Sequence, residues 1–191
     1  MSTSDRLIES TRELLWERGY VGTSPKAILE RAGAGQGSMY HHFTGKPDLA
    51  GQAIRRSAEE LRAAAERQLG GEGRPVERIA AYLGRERAVR RGCQIGRLTQ
   101  DPEVVALPDL REPVDETFRW LRGRLAEVIR EGQAAGDFDA ALDADDTAAT
   151  VAAVLQGGYV LARAADDDEP FARATRGLVH LLRAATPART P

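Results

Sequence analysis

Gln36, Ser38, Tyr40, His41 and His42 crowd into the segment from Gln36 to Phe43. An amide, a hydroxyl, a phenol and two imidazoles are hydrogen-bonding groups. None is a strong nucleophile without a partnered base. A glutamine amide pairs with an adenine edge, and serine or tyrosine hydroxyls reach bases or phosphates. Only Met39 and Phe43 read as core. A short helix that spends so few side chains on packing offers the rest to a partner. Gly37 would let its backbone come close to a duplex. Lys26 and Lys46, the two lysines of an otherwise arginine-rich chain, lie before and after this segment.

Other chemistries find no support. His41 and His42 are about 100° apart on a helix, so they cannot share one metal ion. His42 is the one expected to pack inward. One cysteine and three histidines cannot assemble a zinc framework. Gly33, Gly35 and Gly37 lack the last glycine of a dinucleotide fingerprint, because Ser38 stands there, and no strand precedes them. Gly70-Gly71-Glu72-Gly73 has no following Lys-Ser/Thr and reads as a linker. No nucleophile elbow is present, and Cys93 has no base beside it in the chain. No catalytic residue, metal or cofactor is expected.

The elements that must carry these residues are helical throughout. Leu7, Ile8, Thr11, Leu14 and Leu15 share one face of a first helix, capped by Ser2 or Ser4 and stopped by Gly19. Ser24-Pro25 opens a second, with Ile28, Leu29 and Ala32 on its apolar side. Ala34-Gly35 turns the chain into the third, Gln36 to Phe43. A long fourth helix starts near Lys46 and runs to Leu69. A fifth starts at Pro75. A short one is expected near Glu103 to Leu107, after an irregular stretch around Cys93. Pro113 is expected to start a strongly periodic helix (Val114, Phe118, Leu121, Leu125, Val128). Two more run from about Asp145 to Arg163 and from Pro170 to about Ala184. Nine helices and no strand make an all-α protein. The first three, with a glycine turn between the last two, form a helix-turn-helix arrangement.

Composition agrees with a soluble globular chain. The 191 residues are 42% hydrophobic and 29% charged, with 5% aromatics, so the core is mostly aliphatic. The net charge is -2 and the pI about 6.0, which does not by itself announce nucleic-acid binding. A lone cysteine excludes an internal disulfide and points to a reducing compartment, here the cytoplasm. The start has no basic, then apolar, leader pattern. The charge-free stretch Thr147 to Ala162 is too short and too polar for a membrane span, so no membrane is expected.

Spacing and residue type over residues 7 to 50 resemble the tetracycline-repressor (TetR) family. The matching positions are Gly19, Gly22, Ile28, Ala32-Gly33, the run Gly37-Ser38-Met39-Tyr40-His41-His42-Phe43, and Lys46 with Leu49. Ala34 stands where Val is common, Leu29 where a small residue is usual, and Pro25 where a polar residue often opens the helix. The resemblance implies that Ser24 and Tyr40 bind phosphate, with Lys26 reaching a base or the backbone. Gln36, Gly37 and Ser38 would meet the duplex, His41 would approach its backbone, and Lys46 would bind phosphate. It further implies a three-helix helix-turn-helix domain (1–45) and a six-helix ligand-binding and dimerisation bundle (46–185), followed by a frayed tail (186–191).

In the bundle, small residues from Ala148 to Gly158 together with Leu178, Leu181 and Leu182 suit an isologous four-helix interface. Tyr82, Leu98, Phe118, Trp120, Leu121, Gln156 and Tyr159 are candidate lining of an effector cavity. Cys93 joins them within Gly92-Cys93-Gln94-Ile95-Gly96, which resembles a segment of one branch of the family. Two readings of it stay open: a thiol activated by Arg90, Arg91 and Arg97, or a small inert core residue. The expected function is a homodimeric, small-molecule-responsive repressor of double-stranded DNA. Effector binding would shift the fourth helix. The alternatives are a ligand-independent regulator of the same fold, or an all-α binding module that never meets DNA.

Overall fold

The computed structural model describes residues 1–185; the expected frayed tail, 186–191, lies outside them. The described residues form nine α-helices and no strand, as the periodicity predicts. They are α1 (Thr3–Arg18), α2 (Pro25–Ala32), α3 (Gln36–His42), α4 (Lys46–Leu69), α5 (Pro75–Gly84), α6 (Pro102–Ala106), α7 (Pro108–Ala134), α8 (Ala144–Ala165) and α9 (Glu169–Ala184). Two 3-10 turns, Val89–Arg91 and Gly96–Gln100, occupy the stretch expected to be irregular. The chain packs as two units: residues 1–61 with 93–117, and residues 62–92 with those from 118 on. The segment 1–45 lies wholly inside the first.

In the first unit, Ser2 caps α1 reciprocally with Asp5. Its hydroxyl accepts from the Asp5 N–H at 3.1 Å, and the Asp5 carboxylate accepts the Ser2 N–H at 3.1 Å. Ser24 caps α2 by accepting the Ala27 N–H at 3.2 Å, and Pro25 supplies the preset first turn. α1 packs on both α2 and α3. Leu7, Leu14, Ile28, Met39, Leu49 and Ile54 are fully enclosed and make the core. The buried Arg12 ties α1 to α4. Its Nε donates to Ser57 Oγ at 3.0 Å, and its fork engages Glu9 and Glu60.

A second clamp comes from residues far along the chain. Asp101 Oδ2 accepts the N–H of Tyr20 and of Val21, just past α1. Asp101 Oδ1 meanwhile caps α6 at the N–H of Glu103, 3.1 Å away. Arg97 closes the end of α1 by donating to the Trp16 carbonyl. Gly19 sits at φ 74°, and a Cβ there would stand 2.8 Å from Asp101 Oδ2. Glycine is therefore needed both for the turn and for the approach of the carboxylate.

The expectation that Pro113 opens a helix is corrected. α7 starts at Pro108, and Pro113 lies inside it. Pro113 has no N–H to offer Asp109. The stripe beyond it is as predicted, with Val114, Leu121, Leu125 and Val128 buried.

In the second unit α8 packs on α9, and α9 on α5. α8 is longer than its charge-free centre, because Asp145, Asp146 and Arg163 lie in its end turns. Among the described residues it is the helix that is long and apolar enough to cross a membrane. Here its Ala148, Val151, Leu155, Tyr159 and Ala162 are buried inside the protein. Gly158 lets α9 come close, since a Cβ would meet the Phe171 ring at 3.0 Å. Ala148, Ala152, Gly158, Leu178 and Leu182 are thus used within the chain. This corrects their expected place in an interface. The opposite face of α8 keeps Ala153, Gly157, Val160 and Leu161 exposed, as is Leu181 of α9.

Candidate nucleic-acid interface and effector-site residues

α3 is seven residues long and divides its side chains sharply. Met39 is wholly enclosed. Phe43, just past the helix, has extended backbone (φ -136°, ψ 143°) that drops its ring into the core. Gln36, Gly37, Tyr40, His41 and His42 are exposed, and Ser38 is half-buried. Tyr40 keeps 62% of its surface in solvent, unusual for a phenol with so much apolar area to hide. The inward packing expected of His42 is corrected. Its ring lies edge-on to Phe43, centroids 6.2 Å apart, and to His41 at 4.9 Å. Phe43, one turn on from Met39, takes the inward place, and His42 stays in solvent.

Gly37 lies on the exposed side of α3. A Cβ there would meet nothing within 4 Å, and its backbone is ordinary helix. Nothing inside the chain demands glycine, although glycine costs a helix interior roughly 1 kcal/mol against alanine. Gly35, Gly84, Gly123, Gly157 and Gly177 share this open space.

α2 and α3 enclose a cleft of about 410 Å³ lined by Lys26, Glu30, Gln36 and Tyr40 among others. Ser24 and Lys26 are exposed beside it. Lys26 Nζ lies 3.8 Å from Glu30 Oε1, an exposed pair one helical turn apart. Glu30 was not singled out from the sequence. It adds an acceptor among donors, the kind of group that takes a cytosine amino proton. Its only sequence signal is the i,i+4 spacing from Lys26.

Lys46 has a different posture from its neighbours. Its Nζ stands 3.8 Å from the centroid of the Tyr20 ring, a cation–π contact at the start of α4. Burial draws the ammonium below the ordinary lysine range, while Glu103 and Asp101 oppose the shift. Burial also pushes the Tyr20 phenol up, helped by the same two carboxylates. Asp48, one turn into α4, accepts from Gln52 and from the Thr44 N–H. Those bonds hold its carboxyl below the ordinary value of 3.8.

The residues expected to line an effector cavity fall into both units. Cys93 and Leu98 are buried in the first. Arg97, one of the arginines expected to activate Cys93, is turned onto the α1 carbonyls, and Arg90 pairs with Asp168 at 3.1 Å. In the second unit Tyr82, Leu121 and Tyr159 are buried, and Phe118, Trp120 and Gln156 half-buried. Tyr82 and Tyr159 are joined through residues the sequence reading did not name. Arg87 lies 5.3 Å from the Tyr82 ring and 5.7 Å from Phe171, and Phe171 lies 4.9 Å from Tyr159. Arginines in an Arg-rich chain carry no signal of their own, which is why these were missed.

An all-α chain with a capped helix-turn-helix and a solvent-facing second helix of the pair has the build of a helix-turn-helix regulator. Residues 7–53 match the family model for bacterial regulatory proteins of the tetR family. Residues 74–178 match the tetracyclin repressor-like C-terminal domain. The transcriptional regulator AcuR of Cereibacter sphaeroides is 31% identical over 179 residues, covering 89% of this chain and 80% of AcuR. The repressor DhaR of a Mycobacterium species is 28% identical, covering 86% and 84%. A crystal structure of a regulatory protein TetR from Rhodobacter sphaeroides superposes with a TM-score of 0.81 at 28% identity, covering 92% of this chain and 96% of the other. The chain belongs to the TetR family of transcriptional regulators.

Proposed function

We propose that the chain is a repressor that binds a pseudo-palindromic operator as a homodimer and is released by a small-molecule effector. The observation that carries the reading is the division of α3. Met39 and Phe43 anchor it, while Gln36, Tyr40, His41 and His42 face outward around a glycine that the fold does not require. Tyr40, Ser24 and Lys26 supply phosphate contacts, and Gln36, Gly37 and Ser38 meet base edges. His41 approaches the backbone. Lys46 adds a phosphate contact on leaving the Tyr20 ring.

Dimerisation is supported by the exposed face of α8 (Ala153, Gly157, Val160, Leu161) and by Leu181 of α9. Two copies of this pair bury one another as a four-helix interface. A twofold dimer then presents two copies of α3 to successive major grooves, about 34–36 Å apart or a multiple of it. The name of DhaR supports repression over activation. The protein works in the cytoplasm, where the DNA is.

A gel shift against the DNA upstream of its own gene, at two salt concentrations, tests the reading. Specific retention that weakens steeply with salt supports it. Retention no better than that of an unrelated duplex rejects it.

A further inference from the structure

Arg85 and Arg87 leave the end of α5 side by side, and neither meets a carboxylate among the described residues. Other arginines of the same unit do: Arg74 with Asp137, Arg78 with Glu131, Arg124 with Glu66. Arg87 is half-buried. Its Nη1 donates to the carbonyls of Leu83 at 2.7 Å and Arg85 at 2.8 Å, and its Nη2 to that of Tyr82. A guanidinium has five donors. The three bonds leave Nε–H and one Nη2–H, the side-on fork that matches a carboxylate. The Nε atoms of both Arg85 and Arg87 are shut off from solvent with no protein acceptor. Both cations also share one aromatic ring. Arg85 lies 5.7 Å and Arg87 5.3 Å from the Tyr82 centroid, and Phe171 and Tyr159 extend the apolar wall.

Buried polar groups normally have partners, and buried charges are normally paired. Arg85 and Arg87 are half-buried and without an acid, and each keeps an Nε with no acceptor beside aromatic rings, which departs from the first rule twice at one place. Arg6 and Arg62 also have a lone Nε, but among the described residues neither lies over an aromatic ring. We infer that Arg85 and Arg87 form an anion subsite that takes an organic carboxylate with a flat apolar body. The carboxylate receives the two guanidinium forks, and the body lies along Tyr82, Tyr159 and Phe171. Burial and the neighbouring Arg85 both draw the Arg87 guanidinium below its ordinary value, and a bound anion relieves both. The inference deepens the effector-responsive reading above by giving the effector a chemical class.

The probe is benzoate, with benzamide as its uncharged isostere. Both are titrated into the full-length 15N-labelled protein at constant ionic strength, without DNA. Benzoate should shift the Nε–H signals of Arg85 and Arg87 and raise the melting temperature, and benzamide should do neither. Arg87 also caps α5, so its removal can unfold the end of that helix. Arg85→Gln is the cleaner variant, because no hydrogen bond among the described residues uses that side chain. It should weaken benzoate at least about tenfold, as expected for losing a charge-assisted bond. Benzamide binding as well as benzoate, benzoate binding unchanged by Arg85→Gln, or Nε–H signals that never move would each overturn the subsite. Operator binding is read separately, so the failure of either leaves the other standing.

Discussion

The N–H of Tyr20 donates to Asp101 Oδ2 at 2.7 Å, joining positions 81 residues apart in the chain. The same oxygen takes the Val21 N–H at 3.0 Å, and the other carboxylate oxygen caps α6. One side chain therefore fixes both the turn that leads into α2 and the start of α6. Asp101→Ala strands two backbone donors and removes a cap. It should destabilise the protein by about 3 kcal/mol. Urea unfolding measures this. A change below about 0.5 kcal/mol, the level of an ordinary surface substitution, would mean that the clamp is ornamental.

The two sides of α3 should respond oppositely. Gln36→Ala and Tyr40→Ala should leave stability within about 0.5 kcal/mol, because both side chains are exposed. Each should weaken operator binding by about 1–3 kcal/mol. Met39→Ala should cost about 2–5 kcal/mol of stability, because that side chain is fully enclosed. Paired melting and anisotropy measurements on the three variants separate the roles.

Asp48 gives a pH signature. Its bonds to Gln52 and Thr44 hold the carboxyl below its ordinary value of 3.8. A carboxyl depressed in the folded state contributes stability that is present above 3.8 and fades as pH falls through the folded value. Asp48→Asn should therefore lower the melting temperature at neutral pH, with the gap to the parent closing below 3.8. A gap of constant size down to low pH would show that the ionised form is not what stabilises the start of α4.

Leu181 is 67% exposed on α9, the helix that packs on α8. Leu181→Glu should leave the fold intact and weaken self-association by about 2 kcal/mol or more, as for a central interface side chain. Sedimentation velocity across a concentration series reads this. A variant that stays dimeric at the parent's concentrations places the interface elsewhere.

Helix starts and stops were legible because caps are local. Ser2 with Asp5, Ser24 with Pro25, and Gly19 each act within four residues. The helix-turn-helix was legible for the same reason, and Met39 and Phe43 were read correctly as core. What escaped depends on distance along the chain or on chain path. Asp101 meets Tyr20 only after folding. The rings of Tyr82 and Phe171 bracket Arg87 only when α9 lies beside α5. His42 stays exposed because Phe43, one turn on from the enclosed Met39, holds the inward place. Pro113 misled because a proline usually opens a helix, whereas Pro108 had already done so.

The account stands on α3 reading a duplex. The direct measurement is selection of duplexes from a random pool by the full-length protein, followed by anisotropy on the winner with the parent and with Gln36→Ala/Tyr40→Ala. The account predicts a two-half-site sequence with inverted symmetry, bound tightly by the parent and far more weakly by the double variant. A pool that yields no shared sequence, or a winner that the double variant binds as well as the parent, would contradict it.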